Sequence, residues 1–100
     1  MSGDIVFTIL DITVKNRGKF MEYVEGHLPS FHQYGGKLLF RSNDMELIEG
    51  NWSPKLLVVH EWPNERAFRQ WDVSAEYAPW KNLRKEAMDM NLVLAKKMKP

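Results

Sequence analysis

"DIVFTILDITV", residues 4–14, is rich in β-branched and aromatic side chains and reads as an extended strand. Successive side chains of a strand point to opposite faces, so Ile5, Phe7 and Ile9 lie on one side and Val6, Leu10, Ile12 and Val14 on the other. Both sides are apolar. A strand with one wetted face alternates apolar with polar residues, so this one predicts a sheet covered on both faces.

Working outward, Asn16 is placed to cap a helix, and Phe20, Tyr23, Val24, Leu28, Phe31 and Tyr34 recur at the three- and four-residue spacings of one helical face. The helix should run to about Tyr34, with a kink near Gly26 caused by Pro29, and stop at Gly35-Gly36. "KLLFRSN" and "MELIEG" read as two extended pieces around Asn43-Asp44, joined either by a tight hairpin turn or, as we prefer, by a bulge within one bent strand. "KLLVVHEW", residues 55–62, is a strand with Leu56, Val58, His60 and Trp62 on one face and Leu57, Val59 and Glu61 on the other. Pro63 ends it. Asn64 caps a short helix that turns Ala67, Phe68 and Trp71 inward. Ser74 restarts the chain, Pro79 suits the first turn of a last helix burying Trp80, Leu83 and Ala87, and "NLVLAKKM" closes as a strand from about Asn91.

The order β-α-β-β-α-β predicts an α+β, ferredoxin-like fold, with helices on one face of a four-stranded antiparallel sheet. Helices on one side leave the second apolar face of the first and third strands uncovered. The most economical cover is the same sheet from a second copy, so we expect a homodimer with its sheets packed face to face.

One hundred residues suit one domain, and 44% apolar with 27% charged residues is the ordinary globular range. The formal charge of +1 provides no footprint for a polyanion, so no nucleic-acid partner is expected. The late basic residues, from Lys81 to Lys99, alternate with Glu86 and Asp89 as a solvated face does. There is no cysteine, which excludes disulfides and thiolate metal sites, and the three histidines have no ligand spacing, so no metal is expected. "MSGDIVFTIL" has no basic flank and no apolar run reaches the ~20 residues of a membrane span. We expect a cytoplasmic chain with no membrane partner.

The stretch "YGGKLLFRSNDMELIEGNWSPKLLVVHEWPNERAFRQWDVSAEYAPWKNLR" carries, in order, paired glycines, an LxR strand, an LEGxW-like turn, an LVVIEFP-like strand, a tryptophan and an SPEY-like step. This pattern closely resembles the DUF1330 family. The resemblance implies the dimeric α+β barrel superfamily, whose members include cofactor-free monooxygenases, lactone isomerases, haem-handling enzymes and stress-responsive barrels. Three positions depart from the pattern: His60 stands for isoleucine, Trp62 for phenylalanine and Ala75 for proline. Only His60 adds a group that could alter chemistry. A fold shared by such different activities does not settle function.

Several residues are candidates for chemistry. His27 falls in the middle of the apolar stripe of the first helix, where it is either a packed, hydrogen-bonded ring or a pocket histidine acting as general base or ligand contact. Arg41 and Glu61 end neighbouring strands and are expected to form an ion pair; alternatively Arg41 anchors a carboxylate or enolate oxygen through its planar fork of donors. Trp52, in "EGNWSP", has no periodic partner and either caps the barrel edge, covers the neighbouring subunit or closes over a cavity. Trp71 and Trp80 have the spacing of core residues. No phosphate loop, HExxH, paired cysteines or GxSxG elbow occurs, and for haem nothing selects among His27, His32 and His60. No cofactor is implied.

The leading expectation is a cavity between helices and sheet that holds a small, partly apolar molecule, with Tyr23, His27, Arg41, Trp52, Glu61, Trp71 and Tyr77 as candidate contacts. The alternative is a cofactor-free monooxygenase or isomerase with His27 as base and Arg41 as oxyanion anchor. A purely structural module would have a solid interior instead.

Overall fold

A computed structural model describes residues 4–99. Strand β1 (Val6–Val14) is followed by helix α1 (Arg17–Gln33), strands β2 (Lys37–Ser42) and β3 (Leu56–Trp62), helices α2 (Glu65–Asp72) and α3 (Ala78–Ala87), and strand β4 (Met88–Lys96). The strands form one antiparallel sheet in the order β2-β3-β1-β4, the ferredoxin-like arrangement. Asn16 caps α1 by accepting the Lys19 N–H at 3.0 Å, and Asn64 caps α2 by accepting that of Ala67 at 2.8 Å. Gly35 ends α1 with a left-handed φ of 93°, a conformation that glycine adopts without strain.

Register sorts the side chains into two faces. Val6, Thr8, Leu10 and Ile12 of β1 are buried beneath the helices with His60 and Trp62 of β3. Trp62 is fully buried, and its indole N–H donates to Thr8 Oγ1 at 3.0 Å. Phe31, Phe68 and Trp71 complete an aromatic core around it, with ring centroids 5.1, 5.4 and 5.2 Å from that of Trp62. On the other face Phe40, Val59, Ile9 and Val93 form a row across all four strands. The Cα framework is only 16 Å deep along its shortest axis, the thickness of one sheet and one helical layer. The row is therefore left uncovered by the rest of the described chain, flanked on the same face by Asp11, Lys37 and Glu61. Both faces of β1 are apolar, as its sequence predicts, but only one is covered within the chain.

Three elements differ from the sequence reading. The β-bulge lies between Leu38 and Phe40, not at Asn43-Asp44, and "MELIEG" is an irregular loop. The β2–β3 ladder runs out at Ser42 opposite Leu57, so the segment beyond has no strand to bond with. Strand β4 begins at Met88, three residues ahead of Asn91. The Ala87 carbonyl accepts from the N–H groups of Lys15 and Asn16, which anchors the end of α3 to the end of β1 and lets Met88 pair directly with Val14. The second helical region is two helices, α2 and α3, so the order is β-α-β-β-α-α-β. Helix α1 continues through Pro29 as one element.

The close approach of α1 and α3 rests on Gly26. A methyl group there would collide with the Trp80 ring, so the hydrogen side chain sets how near the two helices lie.

Candidate functional site

Between α1 and the helix-facing side of the sheet lies a cavity of about 280 Å³. Its walls are apolar, from Leu10, Val24, Phe31 and Val58 among others, and three polar side chains interrupt them: His27, His60 and Arg41. A second hollow of about 460 Å³ borders it, sharing Phe20, Arg41 and Leu56 and adding Ser42 and Asn43. Arg41 is the one charged residue among the three that border both. Mostly apolar walls with a few convergent polar groups are the usual form of a small-molecule site.

His27 is held by its own helix. Nδ1 lies 2.8 Å from the Val24 carbonyl and 3.0 Å from that of Tyr23, so it carries the proton and donates to both. A neutral imidazole protonated at Nδ1 has its lone pair on Nε2. The Tyr23 ring stacks on His27 with centroids 4.7 Å apart and planes 5° from parallel, which restrains ring rotation. Burial lowers the His27 pKa and the backbone carbonyls oppose that shift in part. The ring is thus neutral near pH 7.

His60 faces His27 from β3. Both rings pack on Phe31, at centroid distances of 5.6 Å for His27 and 4.5 Å for His60. Burial, and then the nearby His27, push the His60 pKa down to about 4. Among the described residues every fully enclosed side-chain nitrogen or oxygen has a hydrogen-bond partner. His27 Nε2 and the ring nitrogens of His60 have none, so they reach the open space of the cavity.

The remaining candidates divide between two other places. Trp71 and Tyr77 lie behind α1, outside the cavity wall. The Trp71 indole N–H donates to Ser30 Oγ at 3.1 Å, and Ser30 Oγ donates to the His27 carbonyl at 3.2 Å. Tyr77 shares a 2.7 Å hydrogen bond with the Tyr23 hydroxyl and accepts from Arg84 Nη1 at 3.0 Å. Burial raises the pKa of both tyrosines, so both keep their protons. These residues brace the helix that carries His27.

Trp52 and Glu61 belong to the opposite side of the sheet. The Trp52 indole N–H donates to Asp11 Oδ2 at 3.0 Å, which lays this half-exposed ring against the open face. Glu61 pairs across the ladders with Phe7 and Lys37 on the same face. The expected Arg41–Glu61 ion pair is not formed. Arg41 sits opposite Val58 and points to the helix side, because the bulge at Leu39 shifts the register of β2 against β3. Sequence reasoning left His60 out of the site, although its alternation with Leu56, Val58 and Trp62 already put it on the helix-facing side.

Among the described residues no group of three or more His, Cys, Asp or Glu is placed to hold a metal, and no helix is long and apolar enough to cross a membrane.

A family model described as a domain of unknown function (DUF1330) matches residues 5–98. The chain belongs to this family. No curated protein matches it in sequence. Among solved structures, this DUF1330 chain is similar to the RPA0582 protein of unknown function from Rhodopseudomonas palustris, at 17% identity over 98% of this chain and 85% of that one, with a TM-score of 0.84. SnoaB, a cofactor-independent oxygenase from Streptomyces nogalater, matches at 14% identity over 97% and 96%, with a TM-score of 0.71. A dimeric protein of unknown function and ferredoxin-like fold from Bacteroides fragilis matches at 12% identity over 93% and 96%, with a TM-score of 0.58. At such identities the likeness shows the fold alone.

Proposed function

We propose that this DUF1330 chain binds a small, partly apolar molecule in the cavity between α1 and the sheet. The observation that carries this reading is the convergence of His27 Nε2, His60 and Arg41 on one apolar hollow of about 280 Å³. Near the lower end of the ~300–1,000 Å³ common for ligand pockets, it suits a compound of one or two rings. Tyr23 contributes to the wall, while Trp71 and Tyr77 act through the helix they hold. The test is a fluorescence or NMR titration with an aromatic library. Binding should be lost in Val58→Phe, which fills the cavity, and weakened in His27→Ala; a hit that binds both variants as it binds the parent chain sits elsewhere.

A second reading, a cofactor-free monooxygenase or isomerase, is favoured by the fixed His27 tautomer. With Nδ1–H tied to the helix, Nε2 is free to take a proton from an activated C–H or O–H of the ligand, and Arg41 can hold the oxygen on which negative charge develops. The similar fold of a cofactor-independent oxygenase supports this reading without assigning it. Solvent deuterium exchange into a bound acidic C–H compound should occur with the parent chain and stop in His27→Gln. No exchange above the protein-free rate would remove the enzyme.

The apolar row Phe40, Val59, Ile9 and Val93 is the basis for a homodimer packed sheet to sheet, with Trp52 and Glu61 turned toward the second copy. Light scattering should give twice the chain mass, and a monodisperse monomer at micromolar concentration would refute it.

A further inference from the structure

Resting on the ligand-binding reading above, we infer that the cavity selects a hydroxylated aromatic or enolic acid, with one hydroxyl between His27 and His60 and an anionic group at Arg41. The inner end is decided by hydrogen-bond polarity. His27 donates from Nδ1 to its own helix, at 2.8 Å to Val24 and 3.0 Å to Tyr23, so the atom it presents to the cavity is an acceptor. A ligand atom reaching Nε2 must bring a hydrogen. A ketone or carboxylate oxygen there would set two lone pairs against each other.

His60 has no such commitment. Neither of its ring nitrogens is bonded within the described chain, and both reach open space, so its tautomer can follow the ligand. Both imidazoles pack on the ring of Phe31 and so border the same part of the cavity. A hydroxyl is the group that answers this pair. Its hydrogen goes to His27 Nε2 and its lone pair accepts from the N–H of His60. Two neutral rings in an apolar wall offer an anion little, whereas a hydroxyl left unpaired between them would be costly.

The outer end is decided by charge. Arg41 is the one charged residue of the cavity wall, and it forms no ion pair among the described residues. Arg41 borders both the cavity and the outer hollow, where Ser42 and Asn43 add polar groups. A carboxylate is the natural partner of such a planar donor fork. The apolar body of the ligand then spans the interval lined by Val58, Leu56 and Phe20.

The experiment is a calorimetric titration of the full chain with naphthalene-based probes: 6-hydroxy-2-naphthoate, 2-naphthol, 2-naphthoate and naphthalene-1-methanol as a flexible alcohol. The hydroxy acid should bind at least about tenfold more tightly than any of the three single-function probes. Arg41→Gln, at an exposed position, should erase the advantage over 2-naphthol, and His27→Phe should erase the advantage over 2-naphthoate. His60→Leu provides a second inner variant if His27→Phe fails to fold by circular dichroism. Equal binding of all four probes would overturn the selection of a hydroxy acid and leave the cavity as a binding site. Binding of none would overturn both.

Discussion

Tyr23 and Tyr77, 54 residues apart in the chain, join their hydroxyls in a buried 2.7 Å hydrogen bond between α1 and the start of α3. Arg84 donates to Tyr77 from α3, so a three-membered polar chain crosses the helix layer directly behind His27. Such a network is stable only while each member has its partner.

Tyr77→Phe should therefore destabilise the chain by about 1–3 kcal/mol, because it leaves the Tyr23 hydroxyl buried and unpaired. In urea unfolding, the Tyr23→Phe, Tyr77→Phe double variant should lose less than the two single losses together, by roughly 0.5 kcal/mol or more. Strict additivity would mean that the bond contributes nothing.

Thr8→Val keeps the shape of the side chain and removes the acceptor of the Trp62 indole N–H. Trp62 is fully enclosed, so its indole N–H would be left buried without that partner, at an expected cost of about 1–3 kcal/mol. A value near zero from chemical denaturation would show that the contact is incidental.

Gly26→Ala tests the contact between α1 and α3. Alanine favours a helix by about 1 kcal/mol, but its methyl group meets the Trp80 ring, and overpacking costs about 1–3 kcal/mol. A net loss of stability is expected, and Trp80→Leu in the same chain should recover part of it.

Stability should fall on mild acidification. The His60 pKa is about 4 in the folded chain against about 6.5 when unfolded, and that of His27 is shifted in the same direction. The unfolded chain thus binds protons first as pH drops. The stabilisation is complete above pH 6.5 and is lost progressively toward pH 4, for His60 by roughly 3 kcal/mol in all. Thermal unfolding across this window should show the slope, and His60→Leu should flatten it.

Val59 lies at the centre of the apolar row on the open face. Val59→Lys should leave the fold unchanged by circular dichroism and convert the proposed dimer to monomer in light scattering. An unchanged mass would place the interface elsewhere.

Much of the architecture was legible in the residues because it depends on local chemistry. The alternation in residues 4–14 defined a strand with two apolar faces, Asn16 and Asn64 marked helix starts, and the alternation in 55–62 put His60 and Trp62 on one side and Glu61 on the other. The midpoint of the apolar stripe already marked His27 as a polar ring in an unusual place. These patterns hold because side-chain direction repeats every 2 residues in a strand and every 3.6 in a helix, whatever the rest of the chain does.

Tertiary structure decided what local pattern cannot carry. The bulge at Leu39 put Arg41 opposite Val58, and a register shift of that kind is set by which strand happens to lie alongside. "MELIEG" has the composition of a strand but no neighbour to complete its hydrogen bonds, so it is a loop. The tautomer of His27 follows from its rotamer against the Tyr23 and Val24 carbonyls, and the pairing of His27 with His60 from a helix and a strand meeting around Phe31. Sequence determined which faces are apolar; only the packing of α1 over β1, β2 and β3 determined which polar groups those faces enclose together.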